Sequence, residues 1–110
     1  MKLAFYTLAA SLAVSGPAFA QFQTGNDVLL SCNSTSAAER MYCIGYIAGA
    51  HDELVSRLLL QDQPNCAPAR YTAGQVRDMT VQYLQQKPQH RHLPANYFVV
   101  LAFLEAWGCK

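Results

Sequence analysis

The sequence predicts an all-α domain, a small four-helix bundle stapled by two disulfides. Three observations carry that expectation. Apolar residues recur at helical spacing in segments separated by turn residues. Two of those segments open on capping boxes, Ser36-Ala37-Ala38-Glu39 and Thr72-Ala73-Gly74-Gln75. The chain also carries 4 cysteines, an even number, behind a leader-like N-terminus. Tyr97 to Leu101 could stand as a buried strand, but a lone strand leaves its backbone groups without a partner.

The elements follow in chain order. Thr24-Gly25-Asn26-Asp27 precedes Val28-Leu29-Leu30, so Thr24 or Asn26 can cap a short first helix ending near Cys32. Asn33 to Ser36 is a turn by composition. The second helix starts behind Ser36, with its hydroxyl bonding forward and Glu39 reaching back. Met41, Ile44, Ile47, Ala48, Val55, Leu58 and Leu59 form its expected apolar face, and it runs to about Leu60. Within it, Gly45 and Gly49 each cost about 1 kcal/mol relative to alanine. Glycines at i and i+4 share a face, which predicts a backbone-deep groove filled by another helix, the apolar Tyr97–Leu104 segment.

Gln61 to Pro68 cannot continue the second helix, because two prolines remove donors and bias their neighbours toward extended backbone. Val76, Met79, Thr80, Tyr83 and Leu84 mark the third helix, which Pro88 ends. Lys87 to His92 is a basic connecting loop, and Pro94 suits the first turn of a fourth helix. That helix, Tyr97 to Leu104, is apolar all round and belongs in the middle of the domain.

Lys2, the short apolar run Leu3 to Val14 and Ala18-Phe19-Ala20 read as a secretory leader over residues 1–20, leaving 21–110 as one mature domain. The run is too short to span a bilayer, which takes about 20 apolar residues. Without Lys2 the chain holds seven Lys and Arg against seven Asp and Glu, a balance that favours neither nucleic acid nor a polybasic membrane anchor. A soluble, exported product is expected. Its compartment fits a bacterial periplasm, and a eukaryotic secretory route is compatible with the same features. A domain of roughly 90 residues is near the size at which an apolar core alone is marginal, so bridges worth roughly 2–4 kcal/mol each are expected to matter.

Helix geometry decides among the pairings. From Cys43 to Leu60 an unbroken helix climbs about 26 Å. The remaining steps to Cys66 return only roughly 20 Å, and a disulfide needs Cα atoms within about 7 Å. Cys43 with Cys66 is thereby disfavoured. In an up-and-down bundle Cys32 and Cys43 lie toward one end and Cys66 and Cys109 toward the other, which predicts those two pairs.

No glycine-rich phosphate loop, haem-attachment motif, H-E-x-x-H or paired C-x-x-C occurs, so no cofactor, metal site or catalytic residue is expected. His90 and His92 read as part of a solvated basic loop. Asp52, beside His51 on the second helix, reads as hydrogen-bonded within the bundle or facing water, with a contact in a partner interface as the alternative.

Thr24-Gly25-Asn26 with Leu29-Leu30 and Cys32, then Cys43-Ile44-Gly45-Tyr46-Ile47-Ala48-Gly49 with Asp52, then Cys66-x-Pro68, Gln75-Val76, Tyr83-Leu84, Pro88, Arg91-His92, Ala95 and Ala106 with Cys109, resembles the Rap/Tai family. Where that family usually has proline before the last cysteine, this chain has Trp107-Gly108. The resemblance implies a periplasmic immunity protein, often dimeric, that binds a type VI secretion amidase effector and occludes its active-site cleft, and that is not an enzyme. An inhibitor of a cleft enzyme needs a rigid protrusion, and Lys87, Gln89, His90, Arg91 and His92, bracketed by Pro88 and Pro94, are the candidates. The Gln61–Arg70 loop is the second candidate. A rival expectation is a periplasmic acid-stress holdase that a drop in pH unfolds into activity, or an envelope protein with an unrelated partner.

Overall fold

The computed structural model describes residues 22–110, so the leader expected over residues 1–20 lies outside the described residues. Four helices follow in order: α1 Gly25–Cys32, α2 Ala37–Leu60, α3 Ala73–Gln86 and α4 Ala95–Trp107, with a 3-10 turn at Pro88–His90 between the last two. No strand occurs among the described residues, and no helix there is long and apolar enough to cross a membrane.

The helix starts are set by side chains. Thr24 is the cap of α1: its hydroxyl accepts from the Asp27 amide, and the Asp27 carboxylate accepts from the Thr24 amide at 2.9 Å. Those Thr24 hydrogen bonds hold the Asp27 carboxyl below its ordinary range. Thr72 and Gln75 close the same box on α3. The box expected at α2 is only half formed. Ser36 accepts from the Glu39 amide, but its own amide donates to Ser34 Oγ at 3.0 Å, which leaves the Glu39 carboxylate without that role. Pro94 caps α4 rather than opening its first turn, and the Ala95 amide donates to the Gln23 carbonyl at 3.0 Å. Helix α2 ends with Asp62 at φ 53°, where the Asp62 and Gln63 amides return to the Leu59 and Leu58 carbonyls.

Both disulfides join the expected partners, Cys32 with Cys43 and Cys66 with Cys109, with Cα separations of 5.0 and 5.1 Å. The core gathers Val28, Cys43, Ile47, Val76, Ala95 and Val99, with Phe98, Phe103 and Leu84 also buried. Helix α4 touches each of the other three helices.

Three packing expectations are corrected. The buried face of α2 is Cys43, Ile47 and Leu54, whereas Met41 is 68% and Leu59 75% exposed. At 100° per residue Met41 lies 200° from Cys43, and Leu59 lies 140° from Leu54, so neither shares the inward stripe. The groove expected at Gly45 and Gly49 is also not filled by α4: a Cβ added at either position would meet nothing within 4 Å. Gly45 stands two residues from both Cys43 and Ile47, and therefore opposite the core. Helix α4 itself is not sheathed all round, since Tyr97 and Leu104 are about half exposed on its outer side.

The glycine that does permit close packing is Gly25. A Cβ there would lie 2.7 Å from Leu84 Cδ2, 2.8 Å from Phe98 Cε2 and 3.0 Å from the Arg91 carbonyl. At the other end of the chain, the Gly108 amide donates to the Leu104 carbonyl at 2.8 Å, a bond that proline in this position would lack.

Candidate partner-binding surface

Lys87 to His92 is tied down from below. Lys87 leaves α3 at φ −123°, ψ 57°, and Pro88 opens the 3-10 turn. The His90 amide donates to the Lys87 carbonyl and the Leu93 amide to the His90 carbonyl. The segment before α1 then clamps the loop: the Asn26 amide donates to the Arg91 carbonyl at 2.9 Å and the Gly25 amide to the Leu93 carbonyl at 3.0 Å. Thr24 and Pro94 form an isolated antiparallel bridge beside them. A loop fixed in this way loses little conformational freedom on binding.

The five candidate residues divide by role. Gln89, His90 and His92 are exposed, and Lys87 is half-buried with its ammonium 6.0 Å from the Tyr83 ring centroid. Arg91 turns inward. Its Nε donates to the Leu84 carbonyl at 2.6 Å and its terminal nitrogen to the Gln85 carbonyl at 3.2 Å. Helix α3 has no basic residue in its last turn, and Arg91 supplies the donors that its terminal carbonyls need. Replacing Arg91 with alanine is expected to lower stability by about 1–3 kcal/mol, measured by urea unfolding, because charge-assisted bonds to the last carbonyls of α3 are lost and Leu84 keeps only the 3.4 Å bond from the Lys87 amide. An unchanged midpoint would leave the side chain free for recognition.

The second candidate loop runs from the end of α2 to α3. Cys66 is fixed to Cys109, and Asn65 Oδ1 accepts from the Ala67 amide. Behind that bridge, Tyr71, Phe103 and Trp107 stack around His51, with Tyr71 and Trp107 centroids 4.7 Å apart. His51 Nδ1 lies 3.1 Å from Asp52 Oδ1, and Nε2 lies 2.6 Å from the Tyr71 hydroxyl. The carboxylate can only accept, so Nδ1 is the donor in that pair. The Nε2 contact joins α2 to the residue before the α3 cap, while the Nδ1 contact stays within α2. Asp52 itself faces water, with its side chain 80% exposed.

Along the seam of α3 and α4, Tyr83 separates two hollows. One is lined by Met79, Gln82, Gln86, Glu105 and Ala106, the other by Lys87, His90, Leu93, Tyr97 and Leu101. Burial, with the Glu105 carboxylate and the Tyr97 phenol nearby, holds the Tyr83 phenol above its ordinary value. A broad open hollow lies on α2 over Gly45 and Gly49, edged by Tyr46, Glu53, Arg57 and Asn96. No group of three or more His, Cys, Asp or Glu stands ready for a metal ion among the described residues. Sequence reasoning missed the clamp at Gly25 and Asn26, which depends on contacts remote in the chain. The inward Arg91 had a signal, the uncapped end of α3.

The helical frame carries two disulfides and holds a basic loop against its own N-terminal segment. The family model of Rap1a immunity proteins matches residues 24–109, and the chain belongs to that family. Membership suggests immunity against a toxin, with a toxin protein as the bound partner and inhibition rather than catalysis as the role. No curated protein and no solved structure matches the chain.

Proposed function

We propose that the chain is exported to the periplasm, where it neutralises a peptidoglycan amidase delivered by type VI secretion by seating the Lys87–His92 loop in the enzyme's cleft. The observation that carries this reading is the clamped loop on a chain of the immunity family. Gln89, His90 and His92 are the groups free to enter a cleft, and Arg91 stiffens their support. Inhibition is stoichiometric, without turnover of the chain.

The test is hydrolysis of purified peptidoglycan by an amidase effector in the presence of the oxidised chain. A Gln89→Glu, His90→Glu, His92→Glu variant is expected to inhibit at least about tenfold more weakly, since an interface hot spot is worth about 1.4 kcal/mol or more, with an unchanged melting temperature. Full inhibition by that variant removes the loop from the site. Inhibition absent from the unmodified chain against effectors of this class overturns the amidase reading.

The same reading includes a homodimer, for which the exposed face of α2 is the surface offered. Met41 and Tyr42 stand out one turn before the hollow at Gly45 and Gly49, so an antiparallel copy can set its bulky turn into the other's hollow. Glu53 and Arg57 pair on the rim and can exchange partners between copies. Gly45→Leu with Gly49→Leu is expected to abolish dimers in sedimentation velocity while keeping the helical circular dichroism spectrum. A wild-type chain that sediments as a monomer throughout removes the dimer.

A further inference from the structure

The hollow beside the loop has a size and a charge that define what fits it. Its volume is about 250 Å³. That is below the roughly 300–1,000 Å³ of small-molecule sites and suits one large side chain rather than a metabolite. Buried Phe98 forms the floor, Tyr83, Tyr97 and Leu101 the walls, and Lys87 and His90 the rim. The aromatic walls are close enough to act together, with Phe98 centred 6.2 Å from Tyr83 and 5.8 Å from Tyr97. Tyr97 is half exposed although it belongs to the most apolar helix among the described residues, which leaves the wall open to a guest.

The residues lining the hollow include no acidic side chain, and Glu105 lies beyond Tyr83 in the adjoining hollow. Between Asp78 and Glu105 the chain holds no acidic residue, while Lys87, Arg91 and two histidines fall in that interval. Arg91 spends its guanidinium on the end of α3, so Lys87 is the cation left at the rim. A carboxylate of the guest is thus attracted there with no acidic side chain of the lining to oppose it.

We propose that this hollow receives one aromatic side chain of the toxin, presented beside a carboxylate that pairs with Lys87. The inference rests on the reading of the chain as a toxin-binding protein and adds to it a socket next to the protruding loop. An aromatic ring in a desolvated pocket with a polar rim is the usual form of an interface hot spot.

The probe is N-acetyl-aspartyl-phenylalanine amide, titrated into the oxidised, 15N-labelled chain and followed by amide chemical shifts. The asparaginyl-phenylalanine and aspartyl-alanine analogues are the controls. Shifts are expected at Tyr83, Lys87, Tyr97 and Leu101, with the asparaginyl analogue about threefold to fivefold weaker, the effect of one half-exposed ion pair. The alanine analogue is expected to be weaker by about tenfold or more. Lys87→Gln, which leaves the fold's hydrogen bonds intact, is expected to make the aspartyl and asparaginyl probes equal. No shifts, shifts elsewhere, or equal affinity of both probes for the unmodified chain overturns the inference. If the probe binds as expected while the chain inhibits no amidase, the socket stands and the amidase reading fails. If the chain inhibits an amidase while the probe leaves the hollow untouched, the socket alone fails.

Discussion

Replacing Cys66 and Cys109 together with alanine is expected to lower the unfolding free energy by about 4 kcal/mol, measured by urea denaturation. Their sequence separation of 43 closes a far longer loop than the separation of 11 between Cys32 and Cys43, whose removal is expected to cost about 3 kcal/mol. For a domain whose whole stability is of order 5–13 kcal/mol, the larger loss leaves a marginal protein. The two bridges also differ in access. Cys66 and Cys109 are exposed, while Cys43 is fully buried against the core. Limited reductant is therefore expected to open Cys66–Cys109 first, giving a species that keeps Cys32–Cys43 by mass spectrometry. A loss below about 1 kcal/mol would mean that the stack of Tyr71, Phe103 and Trp107 alone holds the long loop and the C-terminal turn together.

Gly25→Ala is expected to destabilise by about 1–3 kcal/mol despite the better helix propensity of alanine. Two of the three atoms that the new methyl meets belong to the side chains of Leu84 and Phe98, both buried, which must shift to make room for it. The third is the Arg91 carbonyl, a backbone atom engaged by the Asn26 amide. The strain is thus expected to pass into the Lys87–His92 loop. Hydrogen exchange at the amides of residues 25 and 26 should accelerate, and inhibition of a toxin should weaken along with stability. Alanine at Gly45 or Gly49 meets nothing within 4 Å and serves as the internal contrast. Equal stability of Gly25→Ala and the unmodified chain would show that α1 can shift outward to make room.

These two results bear on what the sequence could reveal. The helices were legible because periodicity and cap chemistry act within a few residues: Thr72 with Gln75 closes as the residue types require, and Thr24, one of two possible caps of α1, is the one used. The bridges were legible because a straight α2 carries Cys43 too far from Cys66. The glycines of α2 were misread, since an i, i+4 spacing says that two residues share a face but not which one. Cys43 held the missing signal. Its bond to Cys32 turns it toward α1 and the core, and Gly45, two positions on, must then face outward. Gly25 offered no comparable signal, because its neighbours Leu84, Arg91 and Phe98 come from the far half of the chain. Of the candidate loop, the position and basic character were readable, whereas the inward turn of Arg91 depended on recognising that α3 lacked donors for its last carbonyls.

The connectivity of the two bridges has a kinetic consequence. Cys32 joins the next cysteine in the chain, and Cys66 likewise joins the next, so the covalent loops neither overlap nor nest. A chain that meets an oxidant from its N-terminus onward can close each bridge as soon as the second thiol of the pair emerges. The first ring is complete before Cys66 becomes available to compete for either of its thiols. Simple pairing in order of appearance therefore yields the native arrangement, and the α1–α2 hairpin is covalently set while the Lys87–His92 loop and α4 have still to arrive. Maturation of such a chain calls for a thiol oxidant but places no demand on a disulfide isomerase.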